Sequence, residues 1–233
     1  MRFLVLQHLD IEPPALLADT LAEAGCELAT LRPAAGEPVP ASPDGFDGLI
    51  VMGGPMSAND TMPWIGEEIA LLADAIARDA PVLGVCLGAQ LLARAAGGRI
   101  VPSPVRELGW YRLRPTGAAT ADPLFSHLPD AGLDVFQWHG ETFTLPEDAA
   151  LLASCDGVPN QAFRLRNRLY GLQFHVEVDE PLIRQWADAG ESEREHLSEA
   201  GVANILAETP GKLPAARDFC RAMTLAWLEL ARA

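Results

Sequence analysis

Short apolar runs alternate with longer amphipathic stretches through roughly the first hundred residues, and that alternation predicts the elements. "RFLVLQH" opens as a mostly apolar strand, "PALLADTLAEAG" has helical character, and "CELATL" returns to strand, so the chain begins as a β-α-β unit. "FDGLIVMGG" is a buried strand running into glycines. Ile65, Ile69, Leu72 and Ile76 then follow at spacings of four, three and four, which predicts an amphipathic helix with those side chains on its inner face. "APVLGVC" is another apolar strand, and "AQLLARAAGG" reads as its helix, closed by glycine. Strands that alternate with helices must be joined by crossovers, so the expected fold is α/β, a doubly wound and mostly parallel sheet flanked by helices.

From about Gly98 the texture changes. "ELGWYRLRPT", "DVFQWHGETFTL", "ALLASCDG" and "AFRLRNRLYGLQFHVEV" are strand-like pieces separated by turns, with little helix between them, which predicts a small antiparallel extension. The tail alternates again. A charged stretch, "WADAGESEREHLSEAGVANIL", precedes Phe219, Met223, Trp227 and Leu230, which mark one face of a final helix. With no internal repeat, low-complexity tract or long linker, residues 1–233 read as one domain. Its core spans about residues 1–180, and a helical C-terminal extension spans about 181–233.

Composition narrows the function classes. An apolar share of 49% over 233 residues is enough to bury a sizeable core. With 32 acidic against 17 basic residues the net charge is −15, which repels nucleic acid and anionic membranes, so neither is an expected partner. No segment approaches the ~20 apolar residues of a membrane span, and the N-terminus lacks the form of a secretion signal. Cys26, Cys86, Cys155 and Cys220 lie far apart without a C-x-x-C pair, which fits a reducing cytoplasm and suggests neither a metal site nor a disulfide framework.

Against that background Gly84-Val85-Cys86-Leu87-Gly88 stands out. It has the G-x-S-x-G spacing of a nucleophile elbow, with sulfur in place of the serine oxygen. A tight strand-to-helix turn needs glycine on both sides and holds the residue between them out at the carboxyl end of the sheet. The plain alternative is a small buried cysteine. In "YGLQFHVEV", strand alternation puts His175 and Glu177 on one face and Phe174 and Val176 on the other. A thiol nucleophile needs a base, and the base needs a carboxylate to orient it, so Cys86, His175 and Glu177 together supply a complete set. "VMGGPMS" leaves backbone N–H groups unencumbered at Gly53 and Gly54, as an oxyanion site or as a simple glycine turn. Gln90, one helical turn beyond Cys86, either bonds a polar substrate or faces solvent.

The blocks "MGGPMS", "GVCLGAQLLA", "WHGETF" and "YGLQFHVEV", in that order, resemble the class I glutamine amidotransferase family, with the texture of the glutaminase part of GMP synthase. The resemblance spans roughly Met1 to Val178. It implies a flavodoxin-like class I glutaminase fold and no metal or organic cofactor. It further implies that Cys86 attacks the glutamine side-chain amide, His175 shuttles protons and Glu177 orients His175. Glutamate and ammonia would form by way of a γ-glutamyl thioester. Gly53, Gly54 and the N–H of Leu87 match the family's oxyanion hole, while Gln90, His139 and Gly140 match positions lining the glutamine pocket. His139 also reads as a hydrogen-bonded core or turn histidine. Val176 stands where the family usually has proline. No G-x-x-x-x-G-K-[ST] loop is present, and about 55 residues follow the triad, too few for a synthetase domain. The ammonia is therefore expected to pass to a synthetase partner in trans or to be released. A γ-glutamyl peptide hydrolase with the same triad and a silent binding or regulatory subunit are the competing readings. A related cysteine-elbow group of chaperone and protease-like proteins usually has histidine directly after the nucleophile, where this chain has Leu87.

Overall fold

In the computed structural model, whose described residues are 1–189 and 196–233, strand β1 (Arg2–Leu6) buries side chains on both faces. Phe3 and Val5 join one hydrophobic cluster, Leu4 and Leu6 the other. β3 (Gly48–Val51), β4 (Val82–Val85) and β9 (Leu169–Leu172) are likewise buried throughout, as a sheet covered on both sides requires. The first cluster is closed by α1 (Ala15–Glu23) and α5 (Glu199–Arg232), the second by α2 (Pro63–Arg78) and α3 (Leu87–Ala95). Helices on both faces confirm the doubly wound α/β expectation.

The sheet has nine strands in the order β2-β1-β3-β4-β9-β8-β7-β5-β6. β2 (Glu27–Leu31), β1, β3, β4 and β9 run parallel, so these five neighbouring strands end at one edge. That edge carries His8 after β1, Gly53 and Gly54 after β3, Cys86 after β4 and Gln173 after β9. β8 (Ala162–Leu165), β7 (Ala149–Ser154), β5 (Ile100–Pro115) and β6 (Leu133–Phe143) continue the sheet antiparallel, a larger extension than the sequence pattern predicts. The β5–β6 register shifts between Pro102 and Glu107, and the resulting bulge carries Arg106.

Three local expectations are revised. The inner face of α2 is Ile65, Glu68, Leu71, Leu72 and Ala75, with Ile69 and Ile76 only partly buried; a fully buried carboxylate sits where periodicity predicts apolar residues alone. The strand expected through "YGLQFHVEV" ends at Leu172, because the chain leaves β4 there and His175 instead donates its N–H to Phe136 O on β6 in an isolated bridge. Finally, the charged stretch of the tail is divided between α4 (Glu180–Ala189) and the start of α5, and its residues 190–195 lie outside the described ones. On α5, Phe219, Met223 and Trp227 are buried as expected, Trp227 against Phe3 at 5.1 Å, while Leu230 packs at the margin.

Gly88 and Gly66 offer a paired test of how tightly the α2–α3 face is packed. A Cβ at Gly88 would overlap the Val51 carbonyl, whereas one at Gly66 meets nothing. Gly88→Ala should therefore lose about 1–3 kcal/mol of stability in urea unfolding, and Gly66→Ala should gain about 0.4–1 kcal/mol. Equal midpoints for the two variants would contradict the packing described.

Candidate active site

Cys86 sits between β4 and α3 with φ 51° and ψ −107°, a left-handed conformation that costs a side-chain-bearing residue free energy and persists only where its neighbours enforce it. Both flanking glycines serve that turn by close approach. A Cβ on Gly84 would lie 2.6 Å from Gly88 O, and one on Gly88 would collide with β3. The Cys86 N–H donates to Leu172 O at 2.7 Å, and Cys86 O accepts from Gln90 N at 3.1 Å, so the turn is tied to β9 and to the first turn of α3.

His175 and Glu177, although outside a regular strand, still face the same way. His175 Nδ1 lies 2.7 Å from Glu177 Oε1, and the imidazole hydrogen-bonds with Cys86. The backbone of Glu177 is fixed as well, its carbonyl accepting from Leu16 N at 3.1 Å. Burial disfavours charge on His175, but the nearby Glu177 carboxylate and the hydrogen bonds to Cys86 and Glu177 outweigh it. The His175 pKa is thereby held well above the usual histidine value. Trp186 on α4 closes the far side, edge-on to the ring at 4.7 Å. The three side chains therefore form one buried relay of thiol, imidazole and carboxylate.

Cys86 opens onto a cavity of about 310 Å³. Gly54, Gln90, His139 and Gly140 are on its wall, and Gly53 and Leu87 are not. A Cβ at Gly53 would collide with the Glu12 carboxylate and come within 3.1 Å of His175 Cε1 and 3.6 Å of Cys86 Cβ, and one at Gly54 would press on Leu87. A side chain at either place would have to displace the end of Glu12 or of Leu87. Gln90 turns to the cavity rather than to solvent, with Nε2 donating to Glu141 O at 3.1 Å and to Gln173 Oε1 at 3.3 Å. His139 contributes its position more than its ring. Nε2 is 3.0 Å from Glu107 Oε2 and Nδ1 is 3.0 Å from Glu141 O, so both nitrogens are engaged within the protein.

Several residues of the site have no counterpart in the sequence reading. Gln173 donates from Nε2 toward Cys86 Sγ at 3.8 Å; its signal was the same alternation that joins His175 and Glu177, extended two residues back. Arg106 and Glu141 border the cavity, and a lone arginine in a bulge carries no sequence mark. His8 and Glu68, sixty positions apart, meet behind Gly53. The other buried cysteines are poorly suited to nucleophilic work. Burial, with the charge of Glu107, pushes the Cys155 thiol up to about 12, and burial raises Cys220 further still. Among the described residues no group of three or more His, Cys, Asp or Glu side chains is arranged to hold a metal ion.

Residues 13–181 match the family model described as glutamine amidotransferase class-I. A glutamine amidotransferase-like protein of Salmonella typhimurium, YfeJ, is 33% identical over 182 residues, 76% of each chain. A GMP synthase (glutamine-hydrolyzing) of Marinomonas is 36% identical over 142 residues, 58% of this chain but only 26% of its own length. Among solved structures, a glutamine amido transferase of Methylobacillus flagellatus superposes with a TM-score of 0.90 at 31% identity, covering 98% of this chain and 94% of that one. A glutamine amidotransferase of Thermotoga maritima gives a TM-score of 0.88 at 25% identity, covering 100% and 99%. A single match over most of the chain, with its cysteine turn, its glycine loop and its buried histidine–glutamate pair at one sheet edge, places this protein in the class I glutamine amidotransferase family.

Proposed function

We propose that this protein hydrolyses the side-chain amide of glutamine through a cysteinyl γ-glutamyl thioester and delivers ammonia to an acceptor enzyme on another chain. The observation that carries the proposal is the buried Cys86–His175–Glu177 relay opening on a cavity bounded by Gly54. As the Cys86 sulfur adds to the amide carbon, His175 takes the thiol proton, and the carbonyl oxygen takes the negative charge. The N–H groups of Gly54 and Leu87, at the glycine loop and the start of α3, are the donors assigned to that oxygen. His175 then gives its proton to the nitrogen, the C–N bond breaks and ammonia leaves. In the second half-reaction neutral His175 takes a proton from water and hydroxide adds to the thioester carbon. The C–S bond then breaks as His175 returns the proton to sulfur, giving glutamic acid, which ionises to glutamate, and the Cys86 thiol. Glu177 holds the imidazole in place throughout.

The cavity suits a free amino acid. Arg106 and Glu141 put a cation and an anion at the same cavity, complementary to an α-carboxylate and an α-ammonium group. Gln90 spends Nε2 on internal bonds, so its carbonyl oxygen is the end assigned to the substrate amide. The Marinomonas relative is named a glutamine-hydrolyzing GMP synthase, and the match covers 26% of its length; a synthetase-type acceptor is proposed by analogy with it.

Cys86→Ala and His175→Ala should each cut ammonia release from glutamine by at least about a thousandfold, and Glu177→Gln by a smaller factor. Undiminished turnover in Cys86→Ala would remove the assignment, and faster release from γ-glutamyl dipeptides than from glutamine would move the substrate to the peptide. Arg106→Met should raise KM for glutamine about tenfold or more with kcat little changed. An unaltered KM would exclude a carboxylate anchor at that position.

A further inference from the structure

His8 and Glu68 form a second imidazole–carboxylate pair that the reaction outlined above leaves unused. Both side chains are fully buried. His8 Nε2 lies 3.1 Å and 3.2 Å from the two oxygens of Glu68, and Nδ1 lies 2.8 Å from Gly53 O. Trp64 stacks on the ring at 5.2 Å, which fixes its plane. Burial alone would strip the ring of charge, but the hydrogen bond and charge of Glu68, with the Gly53 carbonyl and Glu12 nearby, raise the His8 pKa instead.

The bond to Gly53 fixes more than one atom. A carbonyl oxygen only accepts, so Nδ1 must carry a proton whichever way the proton is shared between Nε2 and Glu68. The Gly53–Gly54 peptide is trans and planar, and its C=O and N–H therefore point in opposite directions. Glycine on both sides leaves little steric resistance to rotation of that plane. From this geometry we infer that the His8–Glu68 pair is a positioning device: it turns the Gly53 carbonyl inward and so presents the Gly54 N–H to the Cys86 side as an oxyanion donor. The inference rests on the acyl-transfer reading of the site, but its test does not require glutamine to be the substrate.

The experiment compares two reactions of Cys86 in the full chain, with Cys86→Ala as the background. Acylation by p-nitrophenyl acetate builds an oxyanion, and alkylation by iodoacetamide, followed by peptide mass spectrometry, builds none. In the double variant His8→Leu/Glu68→Leu, which leaves no unpaired buried charge, acylation should fall about a hundredfold while alkylation stays within a factor of about three. His8→Asn/Glu68→Gln restores a donor near the Nδ1 position and should recover at least about tenfold of the loss. For glutamine the same variants should lower kcat with little change in KM. Equal losses in acylation and alkylation, unchanged acylation in a folded variant, or no rescue by asparagine would each overturn the inference. Should the leucine variant fail to fold by circular dichroism, the wild type decides: a through-hydrogen-bond coupling between His8 Nδ1–H and the Gly53 carbonyl carbon supports the inference, and an unprotonated Nδ1 overturns it. Wild-type protein that acylates readily but releases no ammonia from glutamine would defeat the proposed function alone.

Discussion

The site depends on one strained residue. Cys86 holds a left-handed backbone conformation that costs on the order of 1–3 kcal/mol, and close packing supplies the restraint. Gly88 lies against the carbonyl of β3, Gly84 lies against the first turn of α3, and the Cys86 N–H is tied to β9. Relaxing the turn would require moving three elements of the central sheet and one helix together. Because the turn holds, the sulfur is aimed at the edge where the parallel strands end. The neighbouring strands carry the glycine loop and the histidine–glutamate pair past that edge, and β5 and β6 add the facing residues Arg106, His139 and Gly140.

A second regularity follows from the same edge. Among the described residues, three histidines near the site are paired with buried carboxylates: His175 with Glu177, His8 with Glu68 and His139 with Glu107. Each stands on a different segment, beyond β9, beyond β1 and on β6. Buried pairs of this kind add little net stability, since desolvation offsets their attraction. Breaking one leaves an uncompensated group, so each segment has a strong preference for one arrangement. We read the first pair as chemical, the second as holding the glycine loop, and the third as bracing the wall that includes Trp138 and Gly140. Gln161 reinforces the third, donating to Glu107 at 2.7 Å and accepting from Gln137 at 2.6 Å.

Much of this was legible in the sequence because it is local. The parallel strands advertise themselves as apolar runs, the turn at Cys86 as glycines two residues to either side, and the pairing of His175 with Glu177 as a two-residue spacing. That spacing worked for an incomplete reason, since the segment is extended but belongs to no continuous ladder. The features that escaped are those made by tertiary contact. Glu68 looks like one more solvent-facing acid until His8 is brought to it from sixty positions away. Arg106 borders the cavity from the stretch where the β5–β6 register shifts. His139 could be placed on the wall from its motif, but the engagement of both ring nitrogens depends on Glu107 across the strand pair. Periodicity reports which face of an element is buried, not which polar group is needed there.

The central claim is that the elbow delivers the Cys86 sulfur to an acyl group within reach of the His175 relay. The most direct measurement is a rapid acid quench of the protein turning over glutamine, followed by peptide mass spectrometry. The account predicts a γ-glutamyl thioester on the peptide carrying Cys86, formed at least as fast as ammonia appears. Turnover without such an adduct, or an adduct on any other residue, would contradict it.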